Sequence, residues 1–312
     1  MRLGVLDVGS NTVHLLIVDA HAGARPAPHV SHRVVLRLMR YLADDGSITP
    51  EGVDALLESI GQLAALAREE GVDAMLPFAT SALREAANGP QTLALIAERT
   101  GVDLQVLAGG DEARLTFLAV RRWLGWSAGG ILLFDIGGGS LEIASGSDEY
   151  PEVSVSVPLG AGRSTIGYLH DDPPTSEQML LLRRHSRDVL AADAIPLFAD
   201  QPAPQRVVGS SKTIRSLARL AGSTTTIPGI GERTVLKRSE LKDWIPRLAQ
   251  LNADARQALP GITPDRTFQI VGGAVVLHSA MKLFDVDEVE VSPWALREGI
   301  ILRYLDSLDS PT

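Results

Sequence analysis

Short apolar runs and longer helical patterns of apolar residues alternate along this chain. Residues 3–6 and, apart from His14, residues 13–18 are apolar, and a Gly-Ser-Asn turn lies between them, which predicts two adjacent strands. Residues 49–64 open with Thr-Pro-Glu, typical of a helix N-terminus, and then carry apolar residues on one helical face. Residues 200–205 and 222–236 are rich in Pro, Gly, Ser and Thr and are predicted to be loops. The alternation of strands and helices predicts an α/β fold.

One segment near the start of the chain has a counterpart 128 positions later. Residues 3–12 (LGVLDVGSNT) and 131–140 (ILLFDIGGGS) both consist of an apolar strand that ends in Asp, a glycine turn with small polar residues, and the start of a new strand. Such a repeat predicts a duplicated fold with two lobes. We therefore predict one lobe over residues 1–124 and a second over 125–294, with a last helix in 295–312 packing back on the first lobe.

Composition and charge narrow the possible functions. The 312 residues include no cysteine, which excludes disulfides, thiolate metal sites and cysteine nucleophiles. No run of 18 apolar residues occurs and the N-terminus does not look like a signal peptide, so we expect a cytoplasmic protein that does not enter a membrane. The net charge of −9 argues against binding to nucleic acid or to anionic membranes.

The two glycine turns are candidate phosphate-binding loops. A glycine turn between strands lets backbone N–H groups converge on an anion, and small hydroxyl and amide side chains add donors. If the two loops face each other, they form a two-sided phosphate clamp. The candidate phosphate-binding residues of these loops are Gly9, Ser10, Asn11, Thr12, Gly137, Gly138, Gly139 and Ser140.

Acidic residues beside these turns are candidate metal ligands. Asp7 and Asp135 each precede a turn, and Glu142 lies on the same strand face as Ser140. Carboxylates in such positions suit a Mg²⁺ ion that also binds phosphate oxygens and water. Another acidic pair, Asp111 and Glu112, lies at a predicted helix start, where acidic residues also stabilise the helix dipole without any catalytic role.

Seven segments together resemble the Ppx/GppA phosphatase family, which comprises exopolyphosphatases and guanosine pentaphosphate phosphatases. In chain order they are DVGSNTVHLLIVD, ATSALREAAN, LAGGDEARLTFLAV, FDIGGGSLEI, VPLGAGRST, GSSKTIRSLARL and VSPWALREGIIL. The resemblance covers nearly the whole chain. It implies a duplicated two-lobe actin-like fold of the sugar kinase/Hsp70/actin superfamily, which is ribonuclease H-like, with the active site in the cleft between the lobes. It also implies a homodimer.

The resemblance assigns roles to individual residues. It implies that Glu112 is the catalytic residue that positions and deprotonates the attacking water, and that Arg84 binds phosphate. It implies that Asp135 and Glu142, with Asp7 nearby, hold Mg²⁺, or Mn²⁺ in its place. This sequence departs from the family pattern at Gly109-Gly110-Asp111, at Met39 and at Trp294, but it keeps Glu112.

The function that follows is a Mg²⁺-dependent exopolyphosphatase that releases terminal orthophosphate from inorganic polyphosphate. We expect a preference for short chains, because longer family members carry additional C-terminal helical domains. Since the net charge would repel a polyanion, a local basic path is also expected. The alternatives are a pppGpp 5′-phosphohydrolase with the same catalytic core, a kinase of the same superfamily, and a noncatalytic phosphate or nucleotide sensor.

Overall fold

The computed structural model describes residues 1–21, 27–227 and 231–309. The chain forms two compact units. Met1–Leu115 and the segment from Leu296 onward make the first, and Thr116–Ala295 makes the second. The boundary between Leu115 and Thr116 falls inside one helix, α4 (Gly109–Leu124). No helix among the described residues is long and apolar enough to cross a membrane.

The first unit is built around a five-stranded sheet in the order β3-β2-β1-β4-β5. Strand β1 pairs antiparallel with β2 and parallel with β4. The elements of this unit, besides the first part of α4, are β1 (Arg2–Val8), β2 (Thr12–Asp19), β3 (Ala27–Val35), α1 (Pro50–Glu69), β4 (Ala74–Ala79), α2 (Ser81–Glu85), α3 (Gly89–Thr100), β5 (Gln105–Val106) and α11 (Leu296–Asp309).

Helices cover both faces of the first sheet. Along β1, Leu6 and Val8 face the apolar cluster that includes α1, whereas Leu3 and Val5 pack in a second cluster with Ile301 of α11. This is the alternation expected of a strand, in which successive side chains point to opposite faces. The continuous apolar run at the start of the sequence therefore encodes a strand buried on both faces.

The second unit contains a seven-stranded sheet in the order β10-β11-β12-β9-β6-β7-β8. Within β6, Phe134 belongs to the larger apolar core, while Leu133 packs on the opposite face with Phe117 and Val120 of α4. The elements of this unit are β6 (Ile131–Ile136), β7 (Leu141–Gly146), β8 (Val153–Val157), α5 (Ala161–Tyr168), α6 (Ser176–Val189), β9 (Arg206–Ser210), α7 (Ser211–Ala221), β10 (Ser223–Ile227), β11 (Gly231–Lys237), α8 (Arg238–Ala249), α9 (Ala253–Arg256), α10 (Ile270–Leu283) and β12 (Glu288–Val291).

The two sheets repeat one topology. The order β8-β7-β6-β9-β12 in the second unit reproduces β3-β2-β1-β4-β5 in the first, with β11 and β10 added at one edge. In both units the first two strands form an antiparallel hairpin, and the first strand pairs parallel with the fourth. The predicted α/β fold with an internal duplication is confirmed.

The prediction of a loop over residues 222–236 was wrong. Strands β10 and β11 form an antiparallel hairpin there, in which Thr225 pairs with Arg233, and residues 228–230 lie outside the described part. Three consecutive threonines in β10 explain the difference, because their β-branched side chains favour a strand. The predicted helix start at Thr49 is confirmed, since its side chain accepts a hydrogen bond from the Gly52 N–H.

Candidate active-site residues

The first glycine loop connects β1 to β2 and is held by backbone hydrogen bonds. The Gly9 N–H donates to the Thr12 carbonyl at 3.0 Å, which closes the turn. The Asn11 carbonyl accepts from the N–H groups of Leu36 and Arg37, at 3.0 and 2.9 Å. Ser10 and Thr12 are buried. The loop is therefore fixed on both sides before any ligand binds.

Asp7 lies on β1 just before this loop and is held by an arginine from the C-terminal helix. Its Oδ2 is 3.2 Å from Nη1 of Arg297, and both side chains are largely buried. The residue opposite Asp7 on β2 is His14, whose Nε2 is 2.8 Å from the Ser31 hydroxyl. A carboxylate balanced by a guanidinium is a poorer ligand for a divalent cation than one without a cationic neighbour. The role of Asp7 as a metal ligand stays a prediction, and its contact with Arg297 does not favour that role.

Glu112 and Arg84 form a buried ion pair within the first unit. Glu112 lies in the first turn of α4 and is only 6% exposed. Nη1 of Arg84, near the end of α2, donates to its Oε1 and also to the Leu107 carbonyl at 2.7 Å. The arginine therefore fixes the position of the glutamate through a charge-assisted hydrogen bond. This contact indicates a positioning role for Arg84, whereas phosphate binding by Arg84 stays a prediction.

Replacing Arg84 with lysine separates these two roles. A lysine ammonium keeps the charge but cannot bridge Glu112 and the Leu107 carbonyl with the same planar geometry. If Arg84 positions Glu112, we expect kcat to fall about tenfold or more while KM changes little. If Arg84 binds substrate in ground and transition states alike, KM rises and kcat is kept. Steady-state kinetics of phosphate release distinguish the two outcomes.

The second glycine loop connects β6 to β7 and closes in the same way as the first. The Gly137 N–H donates to the Ser140 carbonyl at 2.9 Å, the counterpart of the bond between Gly9 and Thr12. Ser140 is buried. The repeat seen in the sequence thus extends to the hydrogen bond that closes each turn.

The three glycine carbonyls of the second loop all bind the start of α5. The Gly137, Gly138 and Gly139 carbonyls accept from the backbone N–H groups of Ala161, Arg163 and Gly160, at 2.9, 2.9 and 3.2 Å. The Arg163 Nε adds a bond to the Gly139 carbonyl at 2.8 Å. This contact needs a glycine at position 160, because a Cβ there would overlap the backbone of Gly138 and Gly139.

These bonds determine where the N–H groups of the loop point. In a planar trans peptide, the N–H is directed opposite to the preceding carbonyl. Because three successive carbonyls bind α5, the N–H groups of Gly138, Gly139 and Ser140 point away from it. None of the three has an acceptor within the described part of the chain. Three convergent and unbonded N–H groups are a typical anion-binding arrangement.

Asp135 and Glu142 lie side by side in the second unit. They are directly opposite each other on β6 and β7, so their side chains share one face of the hairpin. The Ser210 hydroxyl donates to Oδ2 of Asp135, and the Ser156 hydroxyl donates to Oε1 of Glu142 at 2.9 Å. Glu142 is only 4% exposed. Two neighbouring carboxylates held by hydroxyl groups repel each other unless a cation lies nearby.

This pair suits a hydrated magnesium ion. Mg²⁺ binds through one or two carboxylates and completes its shell with water and phosphate oxygens. Among the described residues, no group of three or more His, Cys, Asp or Glu side chains could form a cage from protein ligands alone. Asp135 and Glu142 are therefore the residues that would hold the ion.

The structure brings the predicted residues together in two sets. In the first unit Arg84 contacts Glu112, while in the second unit Asp135 lies beside Glu142. Besides Ser156, which holds Glu142, sequence reasoning did not single out four residues that hold these groups: Arg297, Ser210, Gly160 and Arg163. All four lie in segments quoted above for their resemblance, but nothing in their spacing indicated which neighbour each would contact.

Comparisons with known proteins identify the family of this chain. A family model described as "Ppx/GppA phosphatase family" matches residues 16–308. Exopolyphosphatase 1 of Mycobacterium tuberculosis is 48% identical over 307 residues, which cover 98% of this chain and 89% of that protein. Exopolyphosphatase 2 of the same organism is 30% identical over 316 residues, covering 96% and 98% of the two chains.

Solved structures show the same fold. A crystal structure of an exopolyphosphatase from Cytophaga hutchinsonii matches with a TM-score of 0.85 and 24% identity, covering 98% of each chain. The crystal structure of the Aquifex aeolicus member of the Ppx/GppA family matches with a TM-score of 0.78 and 22% identity, covering 100% of this chain and 99% of that one.

Proposed function

Because this chain belongs to the Ppx/GppA phosphatase family, we propose that it is an exopolyphosphatase that releases the terminal orthophosphate of inorganic polyphosphate. The names of its relatives support the choice of substrate. The observation that carries the chemistry is the set of three N–H groups at Gly138, Gly139 and Ser140, which have no acceptor in the described part of the chain. A terminal phosphoryl group carries the oxygens that such donors bind.

In the proposed reaction, the second loop binds the phosphoryl group and Glu112 activates the water molecule. The N–H groups of the second loop bind the oxygens of the terminal phosphoryl group and stabilise the charge that they carry in the transition state. Glu112, held by Arg84, orients a water molecule and accepts its proton. The shortened polyphosphate is the leaving group. When Mg²⁺ is bound, it offsets the negative charge of the phosphate oxygens.

Glutamine at position 142 tests the magnesium assignment. We expect Glu142→Gln to raise the Mg²⁺ concentration needed for half-maximal activity by about tenfold or more, since even the partners of metal ligands change metal affinity by about 10- to 100-fold. The measurement is phosphate release as a function of Mg²⁺, and then of Mn²⁺. Glu152→Gln, at an exposed carboxylate of the same unit, is the matched control. An unchanged half-saturation in Glu142→Gln would remove Glu142 from the metal site.

A single parallel assay tests the proposed function. Purified protein with Mg²⁺ is offered short-chain polyphosphate, long-chain polyphosphate, pppGpp and ATP, and the released phosphate is measured. Release from polyphosphate supports the proposal, and release from pppGpp alone shows the alternative. A faster rate on short chains agrees with the predicted preference, whereas a strong preference for long chains contradicts it. No release by folded protein from any substrate would contradict the enzymatic function. Cytoplasmic location and a homodimer stay predictions.

A further inference from the structure

A basic cavity lies in the second unit, and none of its lining residues belongs to the glycine loops or to the carboxylate pair of that unit. Its volume is about 570 Å³. The chain has only four lysines, and three of them, Lys237, Lys242 and Lys282, line this one cavity. They come from three different elements: the end of β11, helix α8 and helix α10. In a chain of net charge −9, this concentration of positive charge is a distinct local feature.

The positive charge of the cavity is only partly balanced. Within the described residues, none of the three lysine ammonium groups forms an ion pair. The carboxylate of Asp287 is already occupied, because its Oδ1 is 2.6 Å from Nη2 of Arg238. This leaves Glu288, which is exposed, as the remaining acidic side chain in the lining. The cavity therefore keeps a net positive charge that an anion could neutralise.

The start of a helix also favours an anion in this cavity, whereas His278 adds little positive charge at neutral pH because its pKa is lowered. Helix α8 starts there, with Lys237 as its N-cap residue and no side-chain cap from any described residue. The positive end of its dipole, which Glu240 in the first turn partly offsets, adds to the lysine charges. His278 also lines the cavity and is half-buried. Burial lowers the pKa of His278, and the positive charges of Arg183, Arg238, Lys282 and Lys242 lower it further.

The cavity and the second glycine loop lie at opposite ends of the parallel strands of this sheet. Lys237 pairs with Glu288 at the start of β12. Strand β12 runs parallel to β9 and β6, and Asp135 lies at the far end of β6, level with Ser210. At about 3.3 Å per residue, the two positions are roughly 13 Å apart along the strand direction alone. A phosphate bound in the cavity is therefore a different group from the one bound by the loop.

We propose that this cavity binds a chain of linked phosphates, either a segment of inorganic polyphosphate or the polyphosphate tail of a nucleotide. Three exposed lysines on separate elements line a cavity of about 570 Å³, which is larger than one orthophosphate fills, so they match successive phosphates better than a single one. A phosphate chain also carries about one negative charge per unit, which suits several lysine point charges. The proposal stands whether or not Glu112 is the catalytic base.

Because the chain has only four lysines, acetylation by acetic anhydride can report whether a ligand covers the three that line the cavity. Peptide mass spectrometry measures the acetylation rates of Lys212, Lys237, Lys242 and Lys282 in the whole protein. The reaction is run in EDTA, with tripolyphosphate, ATP, orthophosphate or sulfate added separately at equal ionic strength. At tenfold excess over the dissociation constant, about nine-tenths of sites are filled, so acetylation of the three cavity lysines should slow by up to about tenfold with tripolyphosphate. Equal protection by ATP identifies the phosphate chain as the recognised part, and protection by ATP alone identifies a nucleotide.

Two results of this experiment would overturn the proposal. One is protection of Lys212 without protection of the three cavity lysines. The other is equal protection by sulfate or orthophosphate, which would show screening of surface charge alone. Phosphate release is measured separately with Mg²⁺, so a protein that releases no phosphate but shows protected lysines contradicts the proposed function and not this site.

Charge-neutralising variants give an independent measurement. Replacing Lys237, Lys242 and Lys282 with glutamine should weaken tripolyphosphate binding at this site by about tenfold, equivalent to about 1.4 kcal/mol. The matched control replaces three exposed arginines of the same unit that do not line the cavity, Arg184, Arg219 and Arg247, and so removes the same charge. Calorimetric titration in EDTA measures both variants. Equal loss of affinity in the two would show a general charge effect and contradict a site.

Discussion

Replacing Glu112 with glutamine is expected to lower kcat for polyphosphate hydrolysis by about 10²- to 10⁴-fold, the range for loss of a general base. Glutamine has nearly the same shape as glutamate but its amide cannot accept the proton of the attacking water. The Arg84 contact to position 112 can persist through the amide oxygen, so the geometry should be kept while the chemistry is lost. The measurement is kcat from phosphate release, with thermal unfolding recorded on the same sample.

A matched variant separates this effect from the loss of charge near Arg84. Glu85 is exposed and its Oε1 is 3.4 Å from Nη2 of the same arginine. Glu85→Gln should keep kcat within about twofold, because exposed ion pairs contribute about 0–1 kcal/mol. A kcat near the unsubstituted value in folded Glu112→Gln protein would exclude Glu112 as the base. A large loss of thermal stability in Glu112→Gln alone would instead show that the buried ion pair is needed for folding.

Adding a single methyl group at position 160 is expected to have the second largest effect. A Cβ in Gly160→Ala would overlap the backbone of Gly138 and Gly139, which must then move. Because misplacing a binding group by about 1 Å can cost about 10²-fold in rate, we expect a loss of that size in kcat/KM. The overlap should also lower the free energy of unfolding by about 1–3 kcal/mol. Phosphate-release kinetics and denaturant unfolding measure the two effects.

Gly167 provides the control for this substitution. It lies in α5, the helix that follows Gly160, and a Cβ at Gly167 would meet no atom within 4 Å. Gly167→Ala should therefore keep full activity and stabilise the helix slightly, since alanine is favoured over glycine by about 1 kcal/mol. Full activity in Gly160→Ala would mean that the position of the second loop is not critical for turnover.

Local patterns in the sequence were enough to predict the α/β class and the internal duplication. Each turn is encoded within ten residues by an apolar strand, an Asp and a glycine, and both hairpins form as expected. The composition of residues 222–236 led to a wrong loop prediction, because it conflicted with the strand propensity of the threonines. The β-branched threonine side chains near residue 225 favour the strand that forms.

Contacts between distant residues could not be predicted from the sequence. Ser210 and Asp135 are 75 positions apart, and Arg84 and Glu112 are 28 apart, so no periodicity relates them. The resemblance suggested a phosphate contact for Arg84, while its contact to Glu112 emerged only from the fold of the first unit. The catalytic and binding roles of these residues stay predictions that the variants above test.

The packing of the first strand against the last helix has a consequence for synthesis on the ribosome. Leu3 and Val5 are covered by α11, and Asp7 pairs with Arg297, 290 positions further along the chain. At a translation rate of about 5–20 residues per second, α11 is synthesised about 15–60 s after the strand that it covers. Thr116–Ala295 contains its own sheet and core and can fold during this interval. The nascent chain therefore exposes an apolar surface for tens of seconds, and we expect general chaperones to bind it there before the last helix emerges.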